Sequence, residues 1–288
     1  MIRSTDTSKL ITMIIDTHHH LWNYDPVAFD WIGEDMVSIR KSFLPADLQA
    51  TLDRTGVAGV ITVQARQQIE ETEWLLSLTA ENDWMKGVVG WLPLAAENIS
   101  ELLQRYSENR WMKGLRHVVQ GEPDPAFILG KAFNRGVALL KNYNLVYDIL
   151  IFEHQLPDTI QFVDQHPDQL FVLDHIGKPK IKTDEREPWA GNLKELAKRE
   201  NVCCKISGMV TEADYKTWSP KQLEPYFDIV LEAFTPSRLM FGSDWPVCLV
   251  ATKYADWLQL VKQVLSDLSI NEQEQIFYKN ALKTYQIS

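Results

Sequence analysis

Short apolar runs alternate along the chain with longer stretches whose apolar residues recur every three or four positions. The short runs are Met13–Thr17, Ala58–Gln64, Gly87–Leu92, Gly114–Val119, Leu145–Ile151, Leu170–Asp174, Cys203–Ser207 and Leu239–Gly242. Most are nearly continuous in Val, Ile, Leu and Phe, the pattern of parallel strands covered on both faces. Helical spacing between them predicts Ala46–Arg54, Glu71–Asn82, Ile99–Tyr106, Ala126–Tyr143, Leu156–Gln165, Asn192–Glu200 and Pro225–Phe234. Two more helices, Tyr254–Leu268 and Glu272–Tyr285, follow the last strand.

Eight strands alternating with helices, with no Gly/Ser linker and no break in composition, predict a single-domain α/β fold. A (β/α)8 TIM barrel over residues 13–288 accounts for the pattern, with a doubly wound sheet as the alternative. The length of 288 residues, 45% of them hydrophobic, suits one such barrel. Residues 1–12, MIRSTDTSKLIT, are mostly polar and lack a signal-peptide core, so they are expected to form a flexible N-terminal extension. No apolar run approaches the roughly 20 residues of a membrane span.

In such a barrel, function sits where the strands end at their C-terminal side. The first strand runs into Asp16-Thr17-His18-His19-His20, and residues two apart on a strand face the same way. His18 and His20 therefore share the barrel mouth while His19 points away, the beginning of a divalent-metal site. The eighth strand leads into Ser243-Asp244-Trp245-Pro246, and strands one and eight are neighbours in a closed barrel. Asp244 is thus expected beside the two histidines, as a metal ligand or as a base toward water. The sixth strand brings His175 to the same level, with Gly177 turning the loop that follows. On the fourth, Arg116 and His117 alternate in direction, so one of them faces inward; Arg116 would hold a carbonyl or an oxyanion.

Lys205 and Ser207 on the seventh strand are weaker candidates, His154 lies just past the fifth, and His166 before Pro167 reads as a surface cap. Of ten tryptophans, Trp22, Trp31 and Trp245 fall near the catalytic end, and Trp22 and Trp245 are the preferred sugar-facing aromatics. The segment from Leu21 to Phe43 is long for a strand-to-helix loop and suggests a lid or substrate wall.

Charge narrows the partners. Lys plus Arg total 29 against 39 Asp plus Glu, a formal charge of −10 that disfavours nucleic acid and anionic membranes. Cys203, Cys204 and Cys248 form no disulfide framework or metal knuckle, and reduced thiols in a cytoplasmic protein are expected. Oligomeric state leaves no mark in the pattern.

DTHHHLW on strand one, KGLRH on strand four, DHIGKP on strand six and FGSDWPV on strand eight together resemble the amidohydrolase superfamily. The similarity is to its branch of sugar-acid lactonases and runs from about Ile14 to Tyr285. The resemblance implies a barrel that opens lactones with water, using His18, His20, Arg116, His175 and Asp244, with a small sugar lactone as its partner. Lys178 and His117 join Trp22 and Trp245 as expected substrate contacts. Many amidohydrolases carry a bridging Lys or Glu on strand four and a His on strand five. Here those strands offer Arg116 and His117, and Tyr147 and Asp148, which argues against a two-metal centre. The branch implies either one zinc, held by His18, His20 and Asp244, or no metal. The rival readings are a metal-dependent decarboxylase on the same scaffold and a non-catalytic sugar-acid binding protein.

Overall fold

The computed structural model describes residues 13–287. The extension expected over residues 1–12 lies outside them. Eight parallel strands stand side by side in chain order. They are β1 (Ile15–His19), β2 (Gly59–Val63), β3 (Met85–Gly90), β4 (Met112–Val118), β5 (Val146–Leu150), β6 (Phe171–Leu173), β7 (Val202–Ile206) and β8 (Leu239–Phe241). Closure between β8 and β1 comes through the residues just beyond β8. Asp244 N donates to His18 O at 2.8 Å and His20 N to Trp245 O at 2.7 Å. The Thr17 hydroxyl donates to Phe241 O at 2.7 Å. The fold is a single TIM barrel, as the alternation of elements predicted.

The surrounding helices are α1 (Pro45–Thr55), α2 (Ile69–Leu78), α3 (Ile99–Ser107), α4 (Lys131–Leu140), α5 (Leu156–Asp164), α6 (Trp189–Leu196), α7 (Pro220–Phe234) and α8 (Tyr254–Val264). A last helical stretch comprises α9 (Ile270–Glu274), π turns over Gln275–Lys279, and α10 (Asn280–Thr284). Strands and helices bury one continuous layer of apolar side chains between them, including Leu115, Tyr147, Phe171 and Phe241. No helix among the described residues is long and apolar enough to cross a membrane.

Element bounds depart from the sequence pattern where glycine or proline overrides it. The helix expected over Ala126–Tyr143 divides at Gly130, whose backbone is extended, into a 3-10 turn (Phe127–Leu129) and α4. The helix expected from Pro225 begins five residues earlier, at Pro220, where a proline in the first turn loses no hydrogen bond. Pro225 lies inside it and removes only one bond, to the carbonyl of exposed Lys221.

The β1–α1 connection is pinched at its base, where Trp22 and Phe43 exchange backbone hydrogen bonds of 2.9 Å. Between them the chain forms a compact loop containing a 3-10 segment (Glu34–Ile39). Arg40 ties it together by donating through Nε and Nη2 to Ile32 O at 3.1 and 3.0 Å. This loop forms one wall of the barrel mouth.

Candidate active site

β1 delivers its histidines as the alternation of a strand requires. His18 and His20 face the barrel axis, while His19 turns outward to bond Thr62 Oγ1 at 2.8 Å. β8 approaches closely because Gly242 has no side chain: a Cβ there would lie 2.8 Å from His18 Cβ and 3.0 Å from Ser207 Cβ. The backbone then turns left-handed at Asp244, φ +58°, which swings its carboxylate over the barrel. Asp16 secures this turn. Its Oδ1 accepts from His18 N at 3.1 Å and Ser243 N at 2.9 Å, and its Oδ2 from the Tyr254 hydroxyl at 3.0 Å. β6 stops at Leu173, and His175 through Lys178 all have positive φ. That sharp exit carries His175 across to Ser207, whose Oγ lies 3.0 Å from Nδ1.

Three imidazoles thereby converge on one carboxylate oxygen. Asp244 Oδ1 is 3.6 Å from His20 Nε2, 3.9 Å from His18 Nε2 and 4.0 Å from His175 Nε2. These separations are too long for hydrogen bonds. Two atoms that each lie about 2.1 Å from a shared ion are at most about 4.2 Å apart, so all three distances suit ligands of a single cation. The far nitrogens are oriented for it: His20 Nδ1 is 2.8 Å from Val63 O and His175 Nδ1 bonds Ser207. Such outer partners direct the Nε2 lone pair at a metal. His18, His20 and Asp244 form one grouping with ligand geometry, and His18, Asp174 and His175 a second. The second is unsuited to a cation because Asp174 is already engaged by Arg116 and Lys205.

Electrostatics leave these groups in the protonation states a ligand or a base needs. Burial pushes the His175 imidazole down to about 4 despite Asp244 and Asp174 nearby. His18 and His20 are likewise lowered, first by burial. Burial alone would raise Asp244, but His175 and His20 outweigh it and hold the carboxyl below its ordinary value. At neutral pH the site is therefore a carboxylate ringed by neutral imidazoles.

Beneath lies a charge-balanced layer. Arg116 Nη1 donates to Asp174 Oδ2 at 3.1 Å, and Nη2 to Gln64 O. Lys205, fully buried, contacts Asp148 Oδ2 and stands 3.0 Å from Asp174 Oδ1. Two cations face two carboxylates, the condition for holding four charges out of water. Burial would raise Asp174, yet Lys205, His18 and Arg116 hold its carboxyl well below the usual range.

The barrel mouth opens into a cavity of about 520 Å3 floored by His20, Arg116, His175 and Asp244. Its polar walls include Arg66, Gln67, Gln120, Lys178, Glu212 and Tyr215, and Trp31 and Met36 of the β1–α1 loop form an apolar side. Lys178 lines it, 3.8 Å from Glu212 Oε1.

Three expected substrate contacts lie elsewhere. Trp22 is 1% exposed, with Phe29, Phe43 and Trp31 packed about it, and its indole N–H donates to Lys41 O at 2.8 Å. Trp245 is buried against Phe43. His117 faces outward from the barrel, bonding Glu122 Oε1 at 2.6 Å and accepting from the Trp91 indole at 3.1 Å. The tryptophan that does line the cavity is Trp31, 43% exposed. His154 is exposed beside Phe152, outside the lining. His166 is buried rather than a surface cap, 2.8 Å from Asn134 Oδ1.

Asp148, Asp174 and Glu212 were missed by motif reading. A count of inward charges could have found the first two, because Arg116 and Lys205 on barrel strands require acids on the strands between them.

Comparison with known proteins places this geometry in context. The amidohydrolase family profile matches residues 15–287. L-fucono-1,5-lactonase of Burkholderia multivorans is 38% identical over 282 residues, covering 94% of this chain and 95% of the relative. The crystal structure of an amidohydrolase from Burkholderia multivorans with bound zinc superposes with a TM-score of 0.91 at 38% identity, covering 96% of this chain and all of the other. The 5-carboxyvanillate decarboxylase of Sphingomonas paucimobilis shares the fold, with a TM-score of 0.67 at 14% identity over 96% of this chain and 100% of that one.

Proposed function

The chain belongs to the amidohydrolase family, and from that premise we propose that it is a hydrolase opening a sugar aldonolactone with water to give the sugar acid. The substrate class is a deoxyhexonolactone such as L-fuconolactone or L-rhamnonolactone, in keeping with the lactonase relative at 38% identity. The observation that carries the reading is the convergence of His18, His20 and His175 on Asp244 Oδ1 within 4.0 Å, with His20, His175, Asp244 and Arg116 on the floor of one cavity.

Asp244 is the base: its carboxylate takes a proton from water as the oxygen attacks the lactone carbonyl. Arg116 lies beside it and has five N–H donors, more than its protein acceptors use, so it stabilises the oxyanion that develops. The proton on Asp244 then passes to the departing ring oxygen. His175, held at about 4, is neutral near pH 7 and does not supply that proton. His20 and His175 orient water against the carboxylate. Lys178 and Trp31 line the substrate's way in, a donor on one side and an apolar face on the other.

His18, His20 and Asp244 would hold one divalent ion, zinc by likeness to the zinc-bound relative, and that ion would supply Lewis acidity toward the carbonyl. Cys203, Cys204 and Cys248 are buried free thiols, which suits the cytoplasm.

A panel of aldonolactones in a weakly buffered indicator solution tests the reading, because each ring opening releases a proton at neutral pH. Rapid acidification with a deoxyhexonolactone is expected; no turnover across the panel would overturn it.

A further inference from the structure

Lys178 and Glu212 line the cavity together, from the loops that follow β6 and β7. Their side chains are 16% and 22% exposed, and Lys178 Nζ lies 3.8 Å from Glu212 Oε1. That is close enough to attract and too far to hydrogen-bond. Among the described residues neither side chain has a hydrogen-bonding partner, although each is largely out of water.

The surroundings hold the pair in place. Lys182 N, further along the loop after β6, donates to Glu212 O at 2.9 Å and so joins the two loops. Thr211 Oγ1, just before Glu212, donates to Gly208 O at 2.7 Å. Lys178 Nζ stands 5.4 Å from the centre of the Phe152 ring. Burial raises the Glu212 carboxyl above its ordinary value, and Lys178 opposes the rise, favouring the ionised, accepting form.

Charged groups withdrawn from water and left without a partner are costly, so their polar atoms point to a ligand. Geometry selects its kind. Two atoms 3.8 Å apart leave room for one oxygen at hydrogen-bond length from both. An ammonium only donates and a carboxylate only accepts, so that oxygen must accept from the first and donate to the second. A hydroxyl does both; a ring ether, a carbonyl or a methyl does not. A ligand carboxylate would suit Lys178 but meet Glu212 as a like charge.

We propose that Lys178 and Glu212 together clamp one ring hydroxyl of the substrate and so determine specificity. Neutral, hydroxylated lactones are accepted; lactones that lack that hydroxyl, or carry a carboxylate in its place, are rejected. The proposal rests on the lactonase reading for the ring that bears the hydroxyl, whereas the clamp itself needs only a hydroxylated ligand.

The test pairs enzyme variants with substrate analogues. The deoxyhexonolactone turned over best is compared with analogues each lacking one ring hydroxyl, in the wild type, Glu212→Gln and Lys178→Met. In the wild type, removal of one particular hydroxyl should lower kcat/KM about ten- to a hundredfold, the scale of a hydrogen bond to a charged group. Each variant should lose a similar factor on the full lactone and discriminate less than about threefold at that position, while its losses at other hydroxyls match the wild type. Glu212→Gln keeps the shape, so the test stands if Lys178→Met fails to fold. A wild type indifferent to every hydroxyl, or a Glu212→Gln protein that discriminates at every position as the wild type does, overturns the clamp.

Lack of turnover of every lactone would count against the lactonase reading alone. The clamp is then read by titration calorimetry with 1,5-anhydro-L-fucitol, which has ring hydroxyls but no carbonyl to attack. Binding by the wild type that weakens about tenfold or more in Glu212→Gln sustains it. Equal binding by the two proteins, or none by either, overturns it.

Discussion

Gly208 lies so close to His175 that a Cβ at this position would stand 2.5 Å from Nδ1 and 2.7 Å from Cγ. Its backbone is also left-handed, with φ +65°, so a side chain meets both strain and a clash. The ring of His175 cannot yield freely, since Ser207 holds Nδ1. Gly208→Ala should displace the imidazole by a few tenths of an ångström or more and lower kcat toward about a hundredfold, with about 1–3 kcal/mol of lost stability. Steady-state kinetics and a thermal melt read both; an unchanged kcat would show that His175 does not need its present place.

Two tryptophans of the β1–α1 loop should behave in opposite ways. Trp31 lines the cavity, so Trp31→Ala is expected to raise KM roughly tenfold with little change in Tm, the scale of one lost aromatic contact. Trp22 is core, so Trp22→Ala should cost about 3–5 kcal/mol of stability through the void it leaves. A Trp22 variant of normal stability and raised KM would reverse the assignment.

Metal affinity tests the donor set independently of turnover. Equilibrium dialysis against zinc should load one ion per chain in the wild type. Because His20 Nε2 makes the shortest approach to Asp244, His20→Asn should weaken binding by at least about a hundredfold. Equal zinc content in the two proteins would exclude His20 as a ligand.

Acid should destabilise the fold through His19. Burial, chiefly, pushes its imidazole from 6.5 down to about 3. Between those values the unfolded chain binds a proton that the native state refuses, so stability falls as pH drops through this window, by up to about 1.4 kcal/mol per unit. His18, His20 and His175 are lowered too and act in the same direction. Melts of the wild type between pH 6.5 and 4 should show a falling Tm. His19→Gln should flatten part of the fall, and an equally steep profile would remove His19 as a contributor.

The barrel was legible because its strands are buried on both faces and read as continuous apolar runs, and because period-two alternation alone places His18 and His20 together. Asp244 followed from barrel closure. What pattern could not supply was direction in loops. Trp22 sits two residues beyond His20, on the face that alternation assigns to the mouth, yet its bridge to Phe43 turns it into the core. Trp31, within the same loop, is carried to the cavity by a fold of that loop no periodicity encodes. On β4, alternation showed that one of Arg116 and His117 faces inward, and the burial of Arg116 against Asp174 decides which. Left-handed turns at Asp244 and at His175 place these side chains, and neither is a glycine that would have announced a turn.

In the proposed reaction the carboxylate of Asp244, at the meeting point of three imidazoles, takes the proton from the water that opens the lactone. Asp244→Asn preserves shape and removes the base. Measured on the deoxyhexonolactone turned over best by the wild type, its kcat should fall by more than about a hundredfold, beyond the loss of one oxyanion donor. Its KM should stay close to the wild-type value. A variant that opens the lactone at near wild-type rate would contradict the account.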